Sequence, residues 1–324
     1  MKILVTGGTG QLGGAVARAL VERGDAVRAL VRDRGRLGQL EGLDLELVEG
    51  DVTRPDTLPA AVAGVEAVAH LAGVVSHGTD DGPHVFAVNE GGTAHVLDAA
   101  AAAGVRRVLL TSSIAALGYV TDPDGVGDED TPYNWAGRGL HYHDSKRAAE
   151  ARVLGETRLE GVAVNPGITF GAGDLHQHGG RVLLQVKAGM PGVPSGASTF
   201  TTLSDVVAGH LGALDRGRPG QRYVLGGHPL TFLDLYARAA AIVGVAPPVR
   251  TLSYPMLRAV ALLDRLTAPL TGRPPRVTPA LAFISTRNRR YRSDKAIREL
   301  GYAPRPVEEG LRACWDWYVG QGLG

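Results

Sequence analysis

The 324-residue sequence predicts an α/β protein: a doubly wound parallel sheet followed by a smaller, mostly helical lobe. Three observations predict it. Short apolar runs alternate with helix-length segments through the first half of the chain. The opening stretch MKILVTGGTGQLGG passes from a strand into a helix through a glycine-rich turn. Beyond Gly167 the rhythm changes to helical segments separated by Gly- and Pro-rich loops. Strands alternating with helices give a parallel sheet covered on both faces, with right-handed crossovers.

The elements follow in order. Residues 2–6 form the first strand, and Gln11 opens an amphipathic helix running towards Arg23. Further strands are expected at 26–31, 43–48, 65–71, 105–111 and 162–165, the last stopped by Pro166-Gly167. A long helix covers 85–103, closed by Gly104 as its C-cap, and another spans 142–160. In the second lobe helices are expected at 182–188, 204–216, 231–243, 255–266, 294–300 and 307–319, interrupted only by short strands such as 221–225. The division is therefore 1–166 for the sheet domain and 167–324 for an interleaved, mainly helical lobe that would bind substrate.

The formal charge of +1 hides an asymmetry. Residues 1–166 carry 15 basic and 23 acidic side chains, a net −8, whereas residues 167–324 carry 19 and 10, a net +9. A basic second lobe suits an anionic ligand, or is simply an arginine-rich surface. The basic residues are scattered without a reader motif, so nucleic acid is not an expected partner. Cys314 is the single cysteine, which rules out an intramolecular disulfide and reads as a small buried hydrophobe. Met1 leads straight into the first strand, and Arg258 and Asp264-Arg265 interrupt the longest apolar run, 256–270. A soluble, cytoplasmic protein without a membrane partner is expected.

Doubly wound sheets bind ligands at the carboxyl ends of their strands. Those ends carry Gly7, Thr9, Gly10, Gln11, Leu12 and Gly13, then Arg32, Asp51-Val52, Leu71 running into Ala72-Gly73, Ser112-Ser113 and Pro166-Gly167. Glycines between a strand and a helix allow a tight turn and close approach of a pyrophosphate to the helix's free amides. The pattern predicts a dinucleotide. Arg32, at the end of the second strand, suits the 2′-phosphate of NADP; Asp33 beside it leaves NAD open. Asp51 would accept from the adenine amino group.

Tyr142 and Lys146 lie four residues apart and share a helical face. An ammonium there lowers the phenol's pKa, which is about 10 in the free residue, so that Tyr142 can act as general acid or base on a carbonyl or alcohol. Tyr291 and Lys295 have the same spacing and read as a chance match. Ser113, at a strand's carboxyl end, would orient the substrate oxygen, and Asn89 would hold a water or the site's backbone. The pairs His141/His143 and His176/His178 lack the further ligands that a zinc site needs, and no metal is expected.

Thr6–Gly13, His70-Leu71-Ala72-Gly73, Asn89, Thr111-Ser112-Ser113, Tyr142–Lys146 and Asn165-Pro166-Gly167 occur in the order of the extended short-chain dehydrogenase/reductases. The resemblance continues through Leu203–Val207 and Tyr223–Gly227 to Leu300–Pro304, and so covers essentially the whole chain. Within that family the sequence looks most like the dihydroflavonol-4-reductase-like branch and the hopanoid-associated sugar epimerases. The resemblance implies a Rossmann-type first domain and a Ser113–Tyr142–Lys146 mechanism supported by Asn89. It further implies Lys146 on the nicotinamide ribose, with Pro166, Gly167 and Ile168 lining the nicotinamide. Proteins of this family are often dimers through two long helices of the first lobe, which makes a homodimer an expectation. Two features depart from related patterns. Ser113 is followed by Ile114-Ala115-Ala116, without the acid pair of sugar-nucleotide dehydratases, and Asn165 stands where an arginine often precedes the proline. The expected activity is NADP-dependent reduction of a carbonyl, or oxidation of an alcohol, on a small-molecule substrate. The alternatives are a sugar or nucleotide-sugar epimerase that keeps its cofactor and, from another class, a non-catalytic NADP-sensing protein.

Overall fold

The computed structural model describes residues 1–76, 82–271 and 277–324. Seven parallel strands form the main sheet: β1 (Lys2–Thr6), β2 (Ala26–Val31), β3 (Glu46–Glu49), β4 (Ala67–His70), β5 (Arg107–Thr111), β6 (Glu160–Pro166) and, from beyond the second-lobe boundary, Gln221–Leu225. Their order places β1 between β2 and β4. The chain therefore reverses direction of travel between β1 and β4, and a crevice opens at that switch point. Lys2–Thr6 reads as a continuous apolar run because both faces are covered. Ile3 and Val5 pack under α1 (Gln11–Glu22) in one core. Leu4 faces the other core, under α2 (Leu58–Val62).

The long first-lobe helix is in three pieces: α3 (Gly82–Phe86), a π-helical turn at Ala87–Gly91, and α4 (Gly92–Ala102). Next comes α5 (His141–Leu154), which ends sooner than the predicted helix because Gly155 caps it.

The second lobe contains more sheet than its sequence announces. It opens with β7 (Ile168–Phe170), α6 (Arg181–Lys187), β8 (Val193–Pro194), β9 (Ala197–Thr202) and α7 (Leu203–Arg216). After β10, the Gln221–Leu225 strand of the main sheet, come β11 (His228–Thr231), α8 (Phe232–Val243), β12 (Thr251–Leu252) and α9 (Tyr254–Thr271). It closes with α10 (Pro279–Ser285), β13 (Asn288–Arg289), α11 (Asp294–Leu300) and α12 (Val307–Gly320). Strands β7, β11 and β13 all pair with β9 to make a second, four-stranded sheet. The run ASTFTT of β9 lacks an apolar alternation, yet every residue in it is buried. Helices α7 and α11 pack on the same face of the main sheet as α1, so the second lobe supplies part of the first lobe's cover. Among the described residues no helix is long and apolar enough to cross a membrane.

Candidate active site

The turn at the switch point is shaped by contact. Gly7 has φ +73°, and a Cβ there would sit 2.6 Å from the Ala72 amide nitrogen. A Cβ on Gly13 would lie 2.1 Å from the Gly7 carbonyl oxygen. Only glycine fits either position. Helix α1 has Gly10 as its N-cap, which offers no side-chain hydrogen bond. The amides of its first turn, at Gln11, Leu12 and Gly13, thus face the crevice with the positive end of the helix dipole, which fits a phosphate. The Gln11 side chain is turned away, donating to the carbonyls of Gly171 and Ala172 at 2.9 Å each.

Along the rest of the crevice, Arg32 is exposed at the end of β2. Its neighbour Asp33 accepts from the Gly35 amide at 2.7 Å and pairs with Arg36 at 3.6 Å. Asp51 Oδ1 accepts from the Thr53 amide and hydroxyl at 2.8 Å each. Burial pushes the Asp51 carboxyl up, but the two Thr53 bonds, with the charges of Arg32 and Arg54, hold it below the usual range. Val52 is buried against Gly92, and its carbonyl accepts from His95 Nδ1 at 2.9 Å.

Below Leu71-Ala72 runs a directional hydrogen-bond chain. The Ala72 amide donates to Thr6 Oγ1 at 3.2 Å, and Thr6 Oγ1 meets His70 Nδ1 at 2.7 Å. On the other side of the ring His70 Nε2 meets Thr93 Oγ1 at 3.1 Å, and Thr93 donates to the Asn89 carbonyl at 2.6 Å. Since Thr93 spends its proton on that carbonyl, His70 carries its own proton on Nε2 and accepts from Thr6 at Nδ1. Burial pushes the ring down to about 3, with the Lys146 charge adding to the effect, so it stays neutral.

Asn89 lies in the π-helical turn, a feature that recurs at functional sites because it re-aims a side chain. Its Oδ1 accepts from the Val74 amide at 2.8 Å, and its Nδ2 donates to the Val74 carbonyl and to Ser145 Oγ, at 3.0 Å each. Ser145 Oγ in turn donates to the Tyr142 carbonyl at 3.0 Å. Asn89 thus holds the strand-end loop against the first turn of α5.

Ser113, Tyr142 and Lys146 come together at the end of β5. The Tyr142 hydroxyl is hydrogen-bonded to Ser113, and Tyr142 is 8% exposed. Burial raises its phenol above the ordinary value, against the opposing Ser113 bond. That direction is opposite to the lowering predicted from the lysine spacing. The cause is burial, and Lys146 Nζ donates elsewhere, to the Thr111 carbonyl at 2.9 Å. Burial pulls the Lys146 ammonium down to about 8, and Glu150 opposes the fall. A Cβ on Gly73 would stand 3.1 Å from both Lys146 Nζ and Asn89 Oδ1, so the backbone passes close beside the ammonium. The Thr111 hydroxyl is fixed from behind by His210 Nε2 at 2.8 Å, whose Nδ1 donates to the Val206 carbonyl at 2.7 Å.

Sequence reasoning missed Glu150, which has no exposed side-chain surface and pairs with Arg222 at 2.8 Å. Asn165 Nδ2 donates to Glu150 Oε2 at 2.5 Å and to the Ser113 carbonyl at 2.9 Å. The spacing of four from Lys146 to Glu150 was the available signal. In the insert before α5, Glu129 is turned into the protein to accept from the Val224 amide at 2.8 Å, and Asp128 pairs with Arg292 at 2.6 Å. Tyr291 is fully buried and donates to the Gly118 carbonyl at 2.5 Å, a structural bond that accounts for the second Tyr/Lys pair. Cys314 has no exposed surface. Among the described residues no group of three or more His, Cys, Asp or Glu is placed to hold a metal.

Comparison with known proteins follows the same outline. The model of the NAD dependent epimerase/dehydratase family matches residues 3–226. The chain is 33% identical to sterol demethylase protein B of Methylococcus capsulatus over the full length of both proteins. It is 32% identical to the 2-alkyl-3-oxoalkanoate reductase of Stenotrophomonas maltophilia, covering 96% of this chain and 98% of that protein. Among solved structures, gox2253 superposes with a TM-score of 0.86 at 35% identity, covering 100% of this chain and 99% of that one. With strand order, glycine turn and full-length relatives in agreement, the chain is an enzyme of the NAD-dependent epimerase/dehydratase family, within the extended short-chain dehydrogenase/reductases.

Proposed function

We propose that the protein is an NADP-dependent oxidoreductase that reduces a carbonyl, or oxidises the corresponding alcohol, at Ser113, Tyr142 and Lys146, with residues 167–324 supplying the substrate wall. The observation that carries this reading is the Ser113–Tyr142 hydrogen bond in a buried site, one helical turn from an ammonium at a depressed pKa. A bound nicotinamide supplies or removes hydride. Ser113 Oγ donates to the substrate carbonyl oxygen and polarises it. The Tyr142 hydroxyl gives that oxygen its proton, and Lys146 stabilises the phenolate left behind. Pro166, Gly167 and Ile168 would flank the nicotinamide ring, and Leu71 and Ala72 the pyrophosphate. Arg32 supports NADP over NAD: it is exposed and has no hydrogen-bonding partner among the described residues, whereas Asp33 is engaged by Gly35 and Arg36. The name of one full-length relative, a reductase, supports the direction of the chemistry.

A second reading, epimerisation with the cofactor retained, uses the same residues and is supported by the match to the NAD dependent epimerase/dehydratase family. One experiment separates the two. Purified protein with NADPH and a panel of ketones and oxo acids is expected to consume the reduced cofactor, read by its absorbance. No consumption with any carbonyl, together with interconversion of a sugar nucleotide, would overturn the reductase reading.

A further inference from the structure

Three arginines are less than a tenth exposed: Arg28, Arg107 and Arg289. Two of them are paired: Arg107 leaves no buried nitrogen without a partner, and Arg28 leaves only its Nε. Arg28 donates to the carbonyls of Ala60, Ala61 and Ala63 and pairs with Glu46 at 2.9 Å. Arg107 donates to the carbonyls of Ala213 and Leu214 and pairs with Glu160 at 2.7 Å. The Arg289 side chain, on a residue 8% exposed on β13, makes no hydrogen bond or ion pair with any described residue, and its Nε is buried without a partner. A guanidinium does not escape burial by losing its proton, so an unpaired one is a standing cost of the fold. Burial does pull Arg289 below the ordinary arginine value, as that cost requires.

Its register partner repeats the pattern. Arg289 lies beside Ser198 in the parallel β13–β9 pair, so the two side chains point to the same face of the sheet. Ser198 has no exposed surface, and its hydroxyl is also without a partner. Arg289 Nε and Ser198 Oγ are thus two buried donors on neighbouring strands with no acceptor. Strand β9 also borders the candidate site. The carbonyl of Thr199, next to Ser198, would lie 2.6 Å from a Cβ on Gly167. Close by, the Arg287 guanidinium covers Phe283 at 4.2 Å and Tyr119 at 5.8 Å. Tyr119 packs on Trp135 at 4.8 Å, and Trp135 on His143, the neighbour of Tyr142, at 5.0 Å.

We propose that Arg289 and Ser198 form a binding site for an oxyanion, a carboxylate or phosphoryl group carried by the substrate at the end remote from its carbonyl. Arg289 donates two hydrogen bonds to such a group and Ser198 one, which satisfies both orphans at once. The inference rests on the oxidoreductase reading for the word substrate, but the anion site itself does not.

The test compares the full-length wild type with Arg289→Met, which fills similar volume without charge, and with Arg289→Lys. Thermal unfolding is followed with rising inorganic phosphate and, separately, acetate. Without added anion Arg289→Met is expected to melt at or above the wild type. The wild-type midpoint is expected to rise with one of the two anions, phosphate marking a phosphoryl ligand and acetate a carboxylate, while Arg289→Met does not respond. Equal responses in wild type and Arg289→Met would overturn the site, as would a Met variant and a Lys variant that both melt well below the wild type. In the assay, the kcat/KM ratio of a 3-oxo acid to its methyl ester is expected to fall by about 100-fold in Arg289→Met if the anion is a carboxylate. If no carbonyl is turned over by the wild type, the oxidoreductase reading fails and the melting comparison still decides the site.

Discussion

Asn165 Nδ2 and Glu150 Oε2 meet at 2.5 Å inside a core where the Glu150 side chain has no exposed surface. Through the same amide Asn165 holds the Ser113 carbonyl, so the backbone of the candidate catalytic serine is tied to the carboxylate one turn beyond Lys146. Glu150 is the group that opposes the fall of the Lys146 pKa, which stands at about 8.

Glu150→Gln keeps the shape and removes the charge. Lys146 then loses its one raising influence, so its ammonium deprotonates at lower pH. Activity that needs the charged lysine falls as pH rises through that value, and the alkaline limb of kcat/KM is expected to move down by roughly one pH unit. Arg222 is also left short of a counter-charge, at a cost of roughly 3 kcal/mol, visible as a drop of several degrees in Tm. A lower Tm with an unmoved alkaline limb would show that Glu150 only supports the fold.

Acid stability is set in part by two buried neutral histidines. Burial lowers His70 to about 3 and His210 to about 4 in the fold, against about 6.5 in the unfolded chain. In that window the unfolded chain binds the extra protons, so stability rises with pH. The contribution is fully present above pH ~6.5 and is lost as pH falls towards those folded values. At pH ~5 each histidine is expected to have cost about 2 kcal/mol. His70→Gln should flatten the dependence of Tm on pH between roughly 4 and 6.5; an equally steep dependence would show that His70 is not held neutral.

The cofactor preference is read at Arg32. Arg32→Ala is expected to weaken NADP binding by about 10- to 100-fold, the loss of a charge-assisted phosphate contact, and NAD binding by far less. Fluorescence titration of both cofactors against both proteins measures it. Equal weakening of the two would contradict the assignment of NADP.

Most of the first domain could be read from the sequence because its strands are buried on both faces and end in glycines with no substitute, as at Gly7 and Gly13. The second sheet could not. Strand β9 is buried through hydroxyls rather than through an apolar pattern: Thr199 accepts from the Tyr291 amide at 2.7 Å, and Thr201 bonds the Tyr302 hydroxyl at 3.0 Å. Those partners are about a hundred residues away, where no local period reports them. The break of the predicted 85–103 helix into α3, a π-helical turn and α4 was hidden for the same reason: it answers to the distant contacts of Asn89 with Val74 and Ser145. Spacing placed Tyr142 and Lys146 on one helix but misjudged the direction of the tyrosine's pKa, which is set by burial, while Lys146 spends its hydrogen bond on the Thr111 carbonyl.

The central claim is that the Tyr142 hydroxyl is the proton donor, and Tyr142→Phe tests it most directly, since it removes one oxygen from a side chain otherwise held by packing. Single-turnover oxidation of NADPH with an accepted carbonyl is expected to slow by roughly 1,000-fold or more, with cofactor binding unchanged. Turnover within about tenfold of the wild type would contradict the account.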